Sequence, residues 1–384
     1  MKKIKYGRQN IDSKDISNVK LALSNETITT GNYVDKFEIN LKRYFKSNYV
    51  LSCSSGTSAL HLAIESINIK KNDNIILPII NFSALSNILC LQDKANVFFA
   101  DVDPSTGQTT PDTVIECIKK NKIKKIKAIF TMYLSGSPNN ILEFYKLKKK
   151  FNCFLIEDAC HALGAEYKFN KKKYKIGSTK HSDISLFSFH PVKSITTGEG
   201  GALSVNKKSF YEISKSYRSH GILRKNTKYW KYNIKTPGLN YRLSDINCAL
   251  GLSQLKKLNK FIQKRRQIVS LYQKYLKNIE GLKIVNIENL NYSSWHLLII
   301  LLDYKKFKLN RDNFINYLNT NNIFPQIHYI PLYKFTYYKF LKKKHFPNAE
   351  KFYKSCLSFP LHTKLSGKDI KVTCNYIKKY LKKI

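Results

Sequence analysis

Through the first two-thirds of the chain, short apolar runs alternate with amphipathic segments, and this alternation limits the fold more than any other feature. The runs are Tyr49–Cys53, Asn74–Ile79, Asn96–Asp101, Ile126–Thr131, Cys153–Glu157, Asp183–Ser188 and Ala202–Val205. Between most of them lie segments with one apolar face: Thr57–Ile67, Ser83–Leu91, Pro111–Lys120 and Ile141–Lys150. Strands alternating with helices at this spacing build a mostly parallel sheet, because a parallel connection needs a crossover, usually a helix. Helices on both faces also account for strands that are apolar at successive positions rather than at every second one. The expected class is α/β, with a seven-stranded, mostly parallel sheet.

After "GLNYRLSDINCALG" the pattern changes. A long periodic segment, Ser244 to Lys277, reads as one or two helices leading away from the sheet. The last hundred residues mix strands such as "WHLLIILL" with helices such as "NRDNFINYLNTN" and "GKDIKVTCNYIKKYL", which makes a smaller α+β unit. The expected division is 1–250, an N-terminal segment and large domain, and 251–384, a linker helix and small domain. A chain of 384 residues is long enough for both.

Bulk properties narrow the function classes. No stretch approaches the ~20 apolar residues of a membrane span, and "MKKIKYGRQNIDSKD" has no apolar region of the signal-peptide kind. The expected address is the cytoplasm, without a membrane partner. The eight cysteines, Cys53, Cys90, Cys117, Cys153, Cys160, Cys248, Cys356 and Cys374, form no C-x-x-C pair and no zinc-ligand spacing. No metal site is expected. A net charge of +41 invites a nucleic-acid reading. However, the lysines are spread over helix faces along the whole chain, and no nucleic-acid-binding motif accompanies them. No nucleic-acid partner is expected. A general positive field suits an anionic small substrate.

Three motifs carry chemistry. In "LSCSSGTSALHLAI" a strand runs into a Ser-Ser-Gly-Thr-Ser turn and a helix, which aims N–H groups, hydroxyls and a helix N-terminus at one point. That is an anion site, or else ordinary N-capping. In "FLIEDACHALGAEY", Glu157, Asp158 and His161 stand at the carboxyl end of a buried strand, the edge where open α/β sheets bind ligands. Asp158 is there to hold a ring nitrogen protonated, or merely to cap a loop. In "SLFSFHPVKSITTGEGGAL", Lys193 follows a strand stopped by Pro191 and precedes a glycine-rich tract. It is a Schiff-base lysine or a solvated loop lysine. Together the three are more telling than any one. Phosphate cradle, strand-end acid and, 35 residues further on, strand-end lysine come in the order a pyridoxal phosphate site needs.

The chain resembles the DegT/DnrJ/EryC1/StrS sugar-nucleotide aminotransferase family through "SGTSALHLA", "EDACHALGAEY", "FSFHPVKSITTGEGGAL", "RSHGI", "GLNYRLSDINCALGLSQLKKL" and "QIHYIPLY". With "ITTG" nearer the N-terminus, the resemblance runs from about Tyr6 to Leu361. The resemblance implies pyridoxal phosphate fold type I, aspartate aminotransferase-like, with a smaller C-terminal domain. It implies that Lys193 carries pyridoxal 5'-phosphate covalently and Asp158 pairs the pyridinium nitrogen. It places Gly56, Thr57, Ser58 and Ser188 at the phosphate, Phe82 on the ring and His161 near the ring hydroxyl. Asn240 would reach the phosphate of the neighbouring subunit, so a homodimer with shared sites is implied.

Within the family, "YGRQNID", "FSFHPVK", "SSWH" and "QIHYIPLY" look most like the branch that makes pseudaminic acid precursors. That likeness implies amino transfer from L-glutamate to C4 of a UDP-linked 4-keto-6-deoxy-N-acetylhexosamine in a two-step, ping-pong sequence. Tyr6, Glu26, Thr27, Ile28, Thr29, Gln326, Ile327, His328 and Tyr329 would then contact the nucleotide sugar. The stretches "NETITTG" and "LRKNTKYWKYNIKTPG" depart from the family pattern near that position. An aminotransferase for another nucleotide-linked 4-keto or 3-keto deoxysugar is the alternative. A sugar dehydratase of the same fold is disfavoured, since such relatives carry histidine where Lys193 stands.

Overall fold

The structure, a computed structural model, describes residues 2–92, 95–223, 230–343 and 345–382. Seven strands form the main sheet: β1 Tyr49–Cys53, β2 Asp73–Pro78, β3 Ala95–Ala100, β4 Ala128–Met132, β5 Phe154–Asp158, β6 Ile184–Ser188 and β7 Gly201–Val205. Their spatial order is β1-β7-β6-β5-β4-β2-β3. Every pairing among β3, β2, β4, β5 and β6 is parallel, and β7 is antiparallel to both its neighbours. The expected strand boundaries differ from these by two residues at most.

Successive side chains of a strand point to opposite faces, and the two faces of this sheet are buried in separate cores. Ile75, Leu77, Phe130, Ile156, Leu186 and Leu203 enter the core under helices Gly56–Ser66 and Ala84–Gln92. Their strand neighbours Val50, Phe187 and Ala202 face helix Asn32–Phe45 on the other side. Ile76, Ile129 and Leu155 fill a third core, under helices Pro111–Lys120 and Ile141–Phe151. Burial on both sides is why these strands read as unbroken apolar runs.

The long periodic segment is one helix, Asp245–Leu276, capped by the Ser244 hydroxyl, which accepts from the Asn247 N–H at 3.2 Å. Leu258, Phe261 and Ile262 pack in the sheet's core, whereas Ile268, Val269, Tyr272 and Leu276 pack in the C-terminal core. The division expected at 250/251 falls inside this helix. Beyond it, β8 Leu282–Ile284, β9 Leu298–Leu302 and β10 Cys356–Phe359 form an antiparallel sheet. Helices Arg311–Thr320 and Gly367–Lys382 share its core. The N-terminal residues join this unit: Ile4–Lys5 pairs in parallel with Ile323–Phe324, and Ile4 is part of the same core. Two-residue strands leave no period to read, so this pairing was not foreseeable. Residues 224–229 of the insertion-like stretch 223–238 lie outside the described residues. Among the described residues no helix is long and apolar enough to cross a membrane, and no group of His, Cys, Asp and Glu is arranged to hold a metal ion.

Candidate active site

The order β1-β7-β6-β5 brings three chain segments to one edge. Gly201, the first residue of β7, lies in register between Cys53 of β1 and Ser188 of β6. A Cβ at Gly201 would stand 2.3 Å from the Ser55 carbonyl oxygen, so only glycine lets the turn after β1 come this close. Asp158 ends β5, the strand beside β6. The turn Ser54–Thr57, Asp158 and Ser188 therefore converge on a cavity of about 540 Å³, a size that suits a cofactor and small substrate.

At the cradle, Ser55 caps helix Gly56–Ser66 by accepting from the Ser58 N–H at 3.0 Å. Gly56 and Thr57 occupy the first helical positions, where N–H groups have no intrahelical acceptor. Both line the cavity, as does Ser188. A Cβ at Gly56 would lie 2.9 Å from the Ser188 Cβ, so the gap between turn and strand end exists only with glycine. Gly56→Ala is expected to weaken retention of a phosphate-bearing cofactor by about tenfold, the scale of one charge-assisted hydrogen bond. Equilibrium dialysis of pyridoxal phosphate against the variant measures it; unchanged affinity would remove Gly56 from the cradle.

Lys193 sits in a connection bound to itself. Its N–H donates to the His190 carbonyl at 2.9 Å, and the Thr196 hydroxyl and Thr197 N–H both donate to the Phe189 carbonyl. Burial pushes the Lys193 ammonium below the ordinary lysine value, and the neighbouring Cys160 and Asp158 oppose that shift. Asp158 is buried, and one carboxylate oxygen accepts from the Cys160 N–H at 3.1 Å. Three histidines complete the floor. His161 lies with its ring centroid 4.2 Å from that of His296, and its Nε2 is 3.0 Å from the Tyr329 hydroxyl. Burial, reinforced by the Lys193 charge, holds His161 well below the usual histidine range. Burial, reinforced by the neighbouring His161 and Lys193, does the same for His296. Burial, with Lys193 again, lowers His328 to about 3. All three are neutral at pH 7. His161 Nδ1 is buried without a protein partner. An enclosed amine of lowered pKa, a buried carboxylate and an anion cradle fit the aldehyde, ring nitrogen and phosphate of pyridoxal phosphate.

The structure brings most of the residues singled out in the sequence to this cavity: Tyr6, Gly56, Thr57, Phe82, Asp158, His161, Ser188, Lys193, Gln326, Ile327, His328 and Tyr329. Phe82 lines the cavity, 58% exposed, with its ring centroid 6.0 Å from that of Tyr329. Three groups are not among the lining residues. The Ser58 hydroxyl is turned to Ser54 and Ser55, 2.8 Å from each of their hydroxyls. Glu26, Thr27, Ile28 and Thr29 are exposed, with Thr29 bridged to Ser244. Asn240 is exposed and paired with Ser219. Its loop nevertheless lies against the cradle of its own chain, since the Ser54 N–H donates to the Tyr241 carbonyl at 2.9 Å.

Sequence reasoning missed Asn81, Cys160 and His296, which also line the cavity. Asn81 is buried with an unpartnered Oδ1. A polar residue directly after the apolar run of β2 was a usable signal, the same one that marked Asp158. His296 had no comparable signal, because a non-local contact carries it to His161.

Sheet order, a site at the carboxyl edge and a lysine in the connection leading to the antiparallel strand define a pyridoxal phosphate protein of fold type I. The model of the DegT/DnrJ/EryC1/StrS aminotransferase family matches residues 9–378, and the chain belongs to that family. It is 38% identical over 382 residues to the UDP-4-amino-4,6-dideoxy-N-acetyl-beta-L-altrosamine transaminase of Campylobacter jejuni, covering 99% of this chain and 98% of that one. Among solved structures, Helicobacter pylori PseC, an aminotransferase involved in the biosynthesis of pseudoaminic acid, superposes over 100% of both chains with a TM-score of 0.91 at 30% identity. The PLP form of the putative sugar aminotransferase Spr1654 from Streptococcus pneumoniae gives 0.88 at 26% identity, over 100% of this chain and 99% of that one.

Proposed function

We propose that this enzyme transfers an amino group from L-glutamate to C4 of UDP-2-acetamido-2,6-dideoxy-β-L-arabino-hex-4-ulose, giving a UDP-4-amino sugar for pseudaminic acid biosynthesis. The observation that carries this reading is the meeting of Lys193, Asp158 and the Gly56–Ser188 cradle in one cavity, in a chain 38% identical along 99% of its length to a transaminase of that product class. Bound pyridoxal phosphate supplies an electron sink and an amino-group carrier. Gly56, Thr57 and Ser188, with Ser58 bracing the turn, hold its phosphate. Phe82 covers the ring, and His161 donates toward the ring hydroxyl. Asp158 would keep a proton on the ring nitrogen, and the neutral Lys193 amine would accept and return the proton of the amino donor. A base must be neutral to accept a proton, so burial that lowers the Lys193 pKa suits the task. Tyr6, Gln326, Ile327, His328 and Tyr329 contact the nucleotide sugar in this reading, and Glu26–Thr29 reach it from the rim. Residues 1–250 carry the cofactor and 251–384 close the substrate side. No disulfide joins any of the eight cysteines, which supports a reducing compartment and hence the cytoplasm.

The test is incubation with L-glutamate and a panel of UDP- and dTDP-linked ketosugars, followed by mass spectrometry of the nucleotide sugars. Replacement of the C4 carbonyl oxygen by an amino group only on the UDP-linked 4-keto-6-deoxy-N-acetylhexosamine is the expected result. Exclusive turnover of a dTDP- or 3-keto sugar would overturn the substrate assignment.

The reading includes a homodimer in which Asn240 donates to the partner's phosphate. A hydrogen bond to a charged group contributes ~1.5–3 kcal/mol, so Asn240→Ala is expected to weaken cofactor retention roughly tenfold to a hundredfold. Because Asn240 also lies beside its own cradle, heterodimers decide between the two. Lys193→Ala and Asn240→Ala subunits, mixed, give one site with both lesions and one with neither if the site is shared. Recovered activity supports sharing; no recovery in confirmed heterodimers assigns Asn240 to its own subunit or to none.

A further inference from the structure

Arg265 is a buried cation without a counter-charge among the described residues. It lies on helix Asp245–Leu276 and is 2% exposed. Its Nη1 donates to three carbonyls, those of Trp295 at 3.1 Å, His296 at 3.2 Å and Leu361 at 3.0 Å. Carbonyls satisfy donors but do not neutralise a charge. No ion pair joins Arg265 to a carboxylate among the described residues, and its Nε is buried without a partner. The buried acid Asp15, bonded to the neighbouring Gln254, has Lys257 as its ionic partner at 2.6 Å. Burial lowers the Arg265 pKa only to about 10, so the guanidinium stays charged at neutral pH. An isolated buried charge is costly enough that such groups are normally paired.

A small cleft borders Arg265, between the N-terminal segment, the Lys193 connection and the helix. Its lining includes Arg8, Asn10, Lys193, Ser194, Arg265 and Thr363, and no acidic side chain is among its described lining residues. Its free volume of about 10 Å³ is close to the lower limit for one water-sized occupant. That excludes a dicarboxylate or a phosphate ester and leaves a water or a monatomic ion. Two arginines, Arg8 and Arg265, with no acid among the described lining residues favour the ion over the water.

We propose that this cleft binds one small monovalent anion of the halide class, held by Arg265 and Arg8 beside the Lys193 connection. The anion supplies the charge Arg265 lacks and ties three segments together: residues 8–10, the connection carrying Lys193, and the long helix. Because Lys193 lines both spaces, the bound anion also favours its protonated form, opposing the effect of burial. The proposal is independent of which sugar the enzyme uses.

The test begins with the wild-type protein crystallised in sodium bromide and measured at the bromine absorption edge. An anomalous peak within hydrogen-bonding distance of the Arg265 guanidinium is the expected result. Peaks only elsewhere on this basic surface, or ordinary water density in the cleft, would overturn the proposal. In solution, the cofactor-free protein is melted in sodium chloride, sodium bromide and sodium gluconate at equal ionic strength. A ligand that binds only the native state raises Tm in a saturable way. The expected result is a halide-specific rise that gluconate, too large for the cleft, does not give. Arg8→Gln is expected to weaken halide binding by about tenfold, through loss of a charge-assisted hydrogen bond, and Arg265→Met to abolish it. If Arg265→Met does not fold, the bromide map and Arg8→Gln decide. Coincident melting curves in all three salts would refute the site.

Discussion

Lys193→Ala is expected to leave a folded protein that binds pyridoxal phosphate at the cradle and transfers no amino group. The fold should survive because the Lys193 side chain makes no hydrogen bond among the described residues, and the connection holding it is bound through main-chain groups and through Thr196 and Thr197. Removing a buried ammonium even relieves a desolvation cost. Turnover, by contrast, loses its proton carrier. A positioned general base contributes up to about 10⁴-fold. Burial holds His161, His296 and His328 neutral, but His161 already meets Tyr329 through Nε2 and His328 meets Ser358 through Nδ1 at 2.9 Å. The measurement is single-turnover conversion of glutamate to 2-oxoglutarate, alongside the visible spectrum, which should lose the band marking lysine-bonded cofactor. An active Lys193→Ala protein would remove the central claim. Partial rescue by added methylamine would strengthen it, since a free amine then does the work of the missing side chain.

The sheet was legible because its physics is local. A strand buried on both faces must be apolar at consecutive positions, and a helix between two such strands must show one apolar stripe, so seven strands could be read within two residues of their ends. Asp158 and the cradle were legible for a related reason. Each is a polar group placed directly after a strand that has no use for polarity, at the edge where ligands bind. Asn81 obeys the same rule and went unread. His296, Cys160 and Arg265 do not obey it. His296 meets His161 only because Arg265 and Ser294 fasten the chain there, with the Ser294 hydroxyl donating to the His161 carbonyl at 2.7 Å. Contacts between residues more than a hundred positions apart leave no period or motif. The exposed Asn240 is a further case: its proposed role depends on a partner subunit, and a single chain's sequence carries no direct record of its neighbour's surface.

Asp158→Asn is the second change expected to have a large effect, and it separates charge from shape. The substitution keeps the side-chain volume and leaves an oxygen to accept the Cys160 N–H, so the strand end should hold its geometry. What disappears is the negative charge that stabilises a proton on the ring nitrogen. Removing one preorganised electrostatic group from an enclosed site costs roughly a hundredfold to a thousandfold in turnover. Cofactor retention should change little, because Gly56, Thr57 and Ser188 are untouched. A second readout needs no turnover at all. The Asp158 charge raises the Lys193 pKa against the lowering by burial, so removing it should let that pKa fall further. In the cofactor-free protein, the pH at which Lys193 reacts with an amine-directed reagent should therefore move down, not up. Glu157 is the control. As the adjacent residue of β5 it faces the other side of the sheet, where its carboxylate accepts from Tyr133 at 2.7 Å and Ser185 at 2.5 Å and burial raises its pKa. Glu157→Gln should leave both turnover and the Lys193 titration near wild type. If it proved as damaging to turnover as Asp158→Asn while the protein stayed equally stable, the proton on the ring nitrogen would have to be held by a different carboxylate from the one assigned.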